Sequence, residues 1–465
     1  MRMDVYRTTV SQAQSARADM SRRRFLLLSA AAMAMAATPR LASAADHGPG
    51  WYADPALTGK VTMFTFAGQR WGLPTIALVP SFKERFPKVE VEINDEPFGE
   101  AYSKIQLRAA SASSSYNSAW VDANQMSALY AVKALENLEP YLAKDPGWAK
   151  DYFADVPANV TRGYKLPQTD AGETYALTCD SNAKLMYYRQ DIFEREGIAG
   201  PPKNWQQTIE IAKALHKPKD NQYGFVTTAR RGLYAGLELY QIMATHGGVW
   251  LDEHFQPHFN NEIGAKSLAI LIELMKYAHP TTLNAADDEA NAALANGTAV
   301  FAPMEWGTSA LTNSKFTKFA EVFKVAVVPK GDTAESHQAP LAGGFGQYIN
   351  VHGTDKQAAF EFIKHLNSGD YTDPAIGETY VKNAGQPTRT SLLNGHADIQ
   401  PYFKALAASL AVSVPGFPWI PEAFTLADQL GNEVTAAVTG EKSPEAALKA
   451  IDEGQHRILQ EAGYK

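Results

Sequence analysis

A single cysteine, Cys179, in 465 residues leaves the chain without an internal disulfide. Stability must come from buried apolar surface, and the length suffices for two cores. Positive charge is also short: Lys and Arg number 43 against 50 Asp and Glu. Seven of the arginines and two of the aspartates fall in residues 1–44, so the remainder carries a net charge of −12. Such a chain is a poor partner for nucleic acid or anionic lipid. The apolar run 25–37 is short and rich in Ala, whereas a membrane-spanning helix needs roughly 20 apolar residues. Neither G-x-S-x-G nor H-E-x-x-H occurs, so two local signatures of hydrolytic sites are missing. Past residue 44 there is no repeat and no low-complexity tract, and 45% hydrophobic with 20% charged residues is an ordinary globular composition.

What is present begins with a leader. "SRRRFLLLSAAAMAMAATPRLASA" (21–44) runs from an arginine block through an apolar stretch to small residues, the layout of an export signal. Ser21-Arg22-Arg23-Arg24-Phe25-Leu26 resembles the twin-arginine signal, with Sec export as the alternative. Ala42-Ser43-Ala44 predicts cleavage after Ala44. No Cys follows the run, so no lipid attachment is expected, and the product is expected to be a free protein of a bacterial periplasm.

The mature chain then alternates strand and helix. "KVTMFTF" (60–66), "VEVEI" (89–93) and "SAWVDA" (118–123) read as strands. Between them, Ile76, Val79, Phe82 and Phe86 recur at helical spacing up to Pro87, and "AYSKIQLRAA" reads as helix; "SALYAVKALENL" (127–138) reads as another. This order predicts an α/β fold with a parallel sheet flanked by helices. Ligands sit beyond the carboxyl ends of such strands, which gathers Gln69, Arg70, Trp71, Asp122, Asn124 and Gln125 at one mouth. Further on, "YALTCDSNAKLMYY" (175–188) reads as extended chain. Asn204 reads as a helix cap with Gln207 as its capping-box partner, and Ser443 with Pro444 opens the last helix. "YGFVTT" (223–228) and "FKVAVVP" (323–329) read as strands, and "AKSLAILIELMKYA" (265–278) as a helix.

Several segments, in order, resemble the bacterial extracellular solute-binding proteins of the maltose-binding type. They are "YALTCDSNAKLMYYRQDIFEREGIAGPPKNWQQTIEIAKAL", "ALANGTAVFAPMEWGTSAL", "VAVVPKGD", "LAGGFGQYINVHGTDKQAAFEFIKHLNSG", "AGQPTRTSL" and "EKSPEAALKAIDEGQHRIL". "YYRQD" and "KNW" depart from the family's Tyr-Asn-Lys-Asp and Lys-Thr-Trp, and Glu305-Trp306 stand where the family often has Gly and Trp. The resemblance implies a two-lobe, type II "Venus flytrap" fold joined by hinge strands. The first lobe is expected at 46–175 plus 299–345, and the second at 176–298 plus 346–465. It also implies a carbohydrate ligand (sugar, oligosaccharide, polyol or sugar derivative) bound between the lobes, ABC-importer permease subunits as partners, a monomer, no cofactor and no catalysis.

Carbohydrates are held by aromatic faces and by paired polar side chains. Trp71, Trp306 and Trp419 are therefore candidate platforms, whereas Trp120 and Trp205 read as core. Asp122, Asn124, Asp180 and Glu305 are candidate hydroxyl partners, with N-capping as the bland reading of Asp122. Arg70, Arg230, Arg231 and Arg389 fall in predicted loops, and Tyr234 follows two of them. Gly343 and Gly344 read as permitting close backbone approach beside Phe345 rather than as a phosphate loop. His246, His254 and His258 suggest a metal, but Pro257 breaks the helix that would align the last two. Tyr187-Tyr188 resembles the tyrosine pair of ferric-binding proteins, though it falls in the hinge segment. The alternatives carried forward are a carbohydrate-active enzyme using Asp122 and Glu305 as acid and base, an iron-binding protein and a polyamine-binding protein.

Overall fold

The computed structural model describes residues 54–68, 70–369 and 373–464. The leader and Gln69 lie outside the described residues. Among the described residues the strands are β1 (Gly59–Phe66), β2 (Val89–Glu96), β3 (Ser118–Asp122), β4 (Lys165–Leu166), β5 (Glu173–Thr174), β6 (Ala176–Arg189), β7 (Tyr223–Phe225), β8 (Ala299–Trp306), β9 (Phe323–Val327), β10 (Leu341–Ile349) and β11 (Val414–Pro415), eleven in all. Nine of them form one sheet, seven along the path β2-β1-β3-β10-β6-β8-β7, with β9 on β6 and β11 on β10. β1 is parallel to β2 and β3, as the strand–helix alternation requires. β10 runs antiparallel to β3 and β6, and β6 antiparallel to β8 and β9, whereas the short β11 is parallel to β10.

The 14-residue strand β6 organises the molecule. Its first half, to Ala183, pairs with β10; its second half pairs with β8 and β9. β10 crosses in the other direction: Leu341 and Ala342 pair with β11, and Phe345–Ile349 pair with β3. Two cores lie on either side of these crossings. One holds Val61, Phe66, Trp120, Leu177, Phe345 and Phe362. The other side holds Phe193, Trp205, Phe301, Leu341 and Leu430, with a satellite around Tyr187 and Phe403.

Those partners exchange two of the expected pieces. Residues 299–306 pair with β7 and the second half of β6, not with β1–β3. Residues 345–380 contribute Phe345, Phe362 and Tyr380 to the first core. The physical reason is the return crossing by β10, which carries the chain back before the helix Lys356–Leu366 is laid down. The expected helix over 127–138 is also shorter: it ends at Ala131, Lys133 has φ 58°, and Leu135 bridges Asn350.

Local chemistry elsewhere follows the sequence. Asn204 Oδ1 accepts from Gln207 N at 2.9 Å at the head of Trp205–Leu215. Gln207 itself reaches one residue further back, accepting from Lys203 N at 2.8 Å. Ser443 Oγ accepts from Ala446 N at 3.2 Å, with Pro444 at the first helical position.

His365 on the Lys356–Leu366 helix is fully buried against Phe82, 3.0 Å from Ser81 Oγ. Burial, reinforced by Arg85, lowers its pKa to about 3, with the Leu78 carbonyl and Asp373 opposing. The folded protein thus resists a proton that the unfolded chain accepts from about pH 6.5 downward. Stability from this group is complete above that pH and declines through the window down to its folded pKa. Between pH 7 and pH 4, wild type is expected to lose about 3 kcal/mol more than His365→Gln, read from denaturant melts at both pH values. Equal losses would contradict the assignment.

Candidate functional site

Several of the candidate residues meet where β6 and β10 pass between the two cores. Just past β1, Arg70 reaches Asp180 on β6 with both prongs: Nε to Oδ2 and Nη2 to Oδ1, each 2.7 Å. Asp180 is fully buried and Arg70 is a quarter exposed, so a charged, bidentate pair is fixed at the floor of the crossing. Trp71 packs edge-on against Phe66 and Phe345, with ring centroids 5.6 and 5.5 Å away. Arg70 lies 5.4 Å from the Trp71 ring. Phe345 in turn faces Asp122 across the β3–β10 ladder. Arg70, Trp71, Asp122, Asp180 and Phe345, scattered through the sequence, therefore come together.

Asp122 does the bland job as well. Its carboxylate accepts from Asn124 N at 2.8 Å and closes a capping box with Gln125. Burial raises its pKa to about 6, against the backbone hydrogen bond. Asn124 is buried behind it. Gly344 sits where β10 presses on β6: a Cβ there would lie 2.4 Å from the Asp180 carbonyl. Close backbone approach is thus what this glycine permits.

Across the crossing, β8 delivers Glu305 and Trp306. Trp306 is half-buried, its ring against Gly343 and Gly416, with Lys184 Nζ 5.5 Å from the ring centre. Glu305 is fully buried. Its Oε1 accepts from Trp306 N at 2.9 Å. Its Oε2 has no hydrogen-bond partner among the described residues. Burial, then the charge of Asp287, pushes this carboxyl well above the usual range, with Lys184 opposing.

Sequence reasoning missed three members of this group. Lys184 on β6 and Glu238 on the helix Leu233–Thr245 are both fully buried and form an ion pair. Thr228 Oγ1 adds a 2.6 Å bond to the same Glu238 oxygen. Asp287, first residue of the helix Asp287–Ala295, lies within electrostatic range of Lys184, Arg70 and Arg230. The signal was there: Lys184 interrupts "SNAKLMYY" and Glu238 interrupts "LYAGLELYQIMAT", and a charge inside a buried apolar run needs a partner.

The other candidates divide. Tyr234 is half-buried with Arg230 stacked over it at 4.9 Å, and burial, then the charge of Asp287, raises its pKa. Trp419 lies on Gly163, and its carbonyl accepts from Ser127 Oγ at 3.5 Å, so it joins the C-terminal segment to the first core's side. Arg389 is buried and holds Asp151 at 2.7 Å, Asp155 at 3.2 Å and the Asn367 carbonyl at 2.7 Å; it ties the chain together. Arg231 pairs with Glu441 at 2.8 Å on the surface. Tyr187 is buried and its hydroxyl donates to the Thr308 carbonyl at 3.0 Å. His246 and His258 engage Asp332 and Asp252 separately, and among the described residues no three metal-ligating side chains converge.

Known proteins share this architecture. The family model for bacterial extracellular solute-binding proteins matches residues 69–372. A mannitol-binding protein of Pseudomonas aeruginosa is 26% identical over 341 residues, 68% of this chain and 78% of the relative. A probable amino-acid ABC transporter periplasmic-binding protein of Sinorhizobium fredii is 23% identical over 393 residues, 81% of this chain and 84% of the relative. Among solved structures, an ABC-transporter solute-binding protein of Agrobacterium vitis with bound D-mannitol superposes with a TM-score of 0.70 at 21% identity, covering 88% of this chain and all of that one. The two-lobe solute-binding fold is the shared feature.

Proposed function

Since the chain belongs to the bacterial extracellular solute-binding proteins, we propose that it captures a sugar or polyol between two lobes and delivers it to the permease subunits of an ABC importer. The observation that carries this reading is the pairing, at the β6/β10 crossing, of aromatic faces (Trp71, Trp306) with buried polar groups (Arg70–Asp180, Glu305). Aromatic faces cover C–H surface while paired polar groups bond hydroxyls. The mannitol-binding relative and the mannitol-bound neighbour support that ligand class.

The lobes in this reading are 54–180 with 345–388, and 181–344 with 389–464. Export to the periplasm by the leader 1–44, with cleavage after Ala44, completes it, as does a monomer that needs no nucleic acid or cofactor. A binding role is favoured over an enzyme because Asp122 is committed as a helix cap, which leaves Glu305 without the second carboxyl that acid–base cleavage needs. Iron is disfavoured by the structural bond of Tyr187.

A thermal-shift screen of the mature protein against sugars and alditols tests the reading. A true ligand at 100 times its Kd should stabilise by about 2.7 kcal/mol, and it should be recovered unchanged. Failure of every neutral carbohydrate to shift the melt would refute the ligand class; recovery of cleaved product would support an enzyme.

A further inference from the structure

β10 changes partners part-way along. On the side away from β6, its Leu341 and Ala342 pair with Val414 and Pro415 of β11, and its Phe345 pairs with Asp122 at the end of β3. Between these contacts, among the described residues, no strand pairs with that side of β10 at Gly343 and Gly344. β3 and β11 point their carboxyl ends into this gap from opposite directions, and ligands of open sheets sit in a crevice at strand carboxyl ends. A bare sheet edge also leaves peptide N–H and C=O groups to be satisfied. Gly343 faces the same side of the sheet as Phe345, two residues on, where Phe345 packs against Trp71. A Cβ on Gly343 would meet only the tip of the Trp306 ring, at 3.8 and 4.0 Å, with no other atom beyond its chain neighbours within 4 Å. A Cβ on Gly416, just past β11, would meet the same ring at 3.7 Å. Gly343 is partly exposed and its φ is not positive, so neither backbone conformation nor packing calls for glycine there. Gly344 differs, because its close approach to the Asp180 carbonyl excludes a side chain.

We propose that this gap in the sheet is a ligand subsite and that Gly343 sets its depth: the ligand's C–H surface lies against the Trp306 ring over Gly343, and its hydroxyls bond the bare edge of β10. The inference rests on the carbohydrate-binding reading and adds the depth-setting residue to it. Hydroxyls both donate and accept, so they serve a peptide N–H and a peptide C=O alike. The C–H surface of a sugar or alditol suits an aromatic ring. A methyl group on residue 343 would fit the protein itself, since it stands at ordinary contact distance from the ring. It would occupy the space that the ligand needs, lift the ligand off the backbone and stretch those hydrogen bonds.

The test is calorimetric titration of the mature protein and its variants with D-mannitol, D-glucitol and D-glucose, following whichever binds wild type most tightly. Gly343→Ala should melt at or slightly above the wild-type temperature, because it restricts the unfolded chain at a compatible position. It should nonetheless weaken that ligand by about tenfold or more, and Gly343→Val by roughly a hundredfold or more. Gly200→Ala is the control: that glycine also has no positive φ and nothing within 4 Å of its Cβ position, and the variant should bind as wild type does. Wild-type affinity in both Gly343 variants would overturn the inference while leaving carbohydrate binding intact. Early melting of Gly343→Ala would also overturn it, by showing that the space is taken up by packing. Absence of binding by wild type to all three compounds would instead count against the carbohydrate reading and the inference together.

Discussion

Lys184→Met is expected to lower the unfolding free energy by about 3–5 kcal/mol at pH 7, because it strands a buried charge. Methionine keeps the unbranched stem, so packing loss is small. What disappears is the cation facing Glu238, and both groups have no exposed surface. Thr228 Oγ1 still donates to Glu238 at 2.6 Å, and a neutral hydroxyl does not offset a carboxylate's desolvation. Burial already holds the Glu238 carboxyl above its ordinary range despite Lys184. The sign of the pH effect follows. A raised folded pKa means the ionised form is the destabilising one, so the penalty in Lys184→Met is full at pH values above the folded pKa of Glu238. It should fade as pH drops through that value and the carboxyl takes up a proton. Adding Glu238→Gln should recover much of the loss at pH 7. Denaturant melts of both variants at two pH values check this, and a Lys184→Met protein as stable as wild type at pH 7 would mean the pair is not buried as described.

The second large effect separates two tryptophans. Trp205 is fully buried, with Nε1 donating to Thr245 Oγ1 at 2.7 Å. Trp205→Ala should cost about 3–5 kcal/mol of stability, the range for truncating a large aromatic in a core, while ligand affinity in the folded fraction stays unchanged. Trp306 is half-buried, with Gly343 and Gly416 lying close against its ring. Trp306→Ala should instead weaken the best alditol by about 2–3 kcal/mol, or roughly a hundredfold in Kd, with a smaller change in melting. If Trp306→Ala melts early yet binds normally, Trp306 is packing and the cleft lies elsewhere.

These contrasts also mark what was legible in the sequence. The extended segment 175–188, the Asn204 and Ser443 caps and the parallel pairing of the first strands could be read because each rests on local chemistry or periodicity. Which sheet a later strand joins is not local. The apolar strand "AVFAPMEW" fits either sheet by composition, and only the crossings of β6 and β10 decide it. Arg389 read as a loop arginine because its partners, Asp151 and Asp155, lie more than two hundred residues earlier. Lys184 and Glu238 were passed over inside apolar runs, where an isolated charge was the clue. Arg70 and Trp71 could be placed beside the crossing because they follow the end of β1, and in a parallel sheet the ligand is expected beyond the strand ends.

Small-angle scattering with and without a confirmed ligand tests the central claim, that two lobes hinged on β6 and β10 close over a carbohydrate. The mature protein, stripped of any co-purified ligand, should show a smaller radius of gyration at saturation than in its ligand-free state. A radius unchanged at saturation by a compound that binds calorimetrically would contradict closure of the lobes around it.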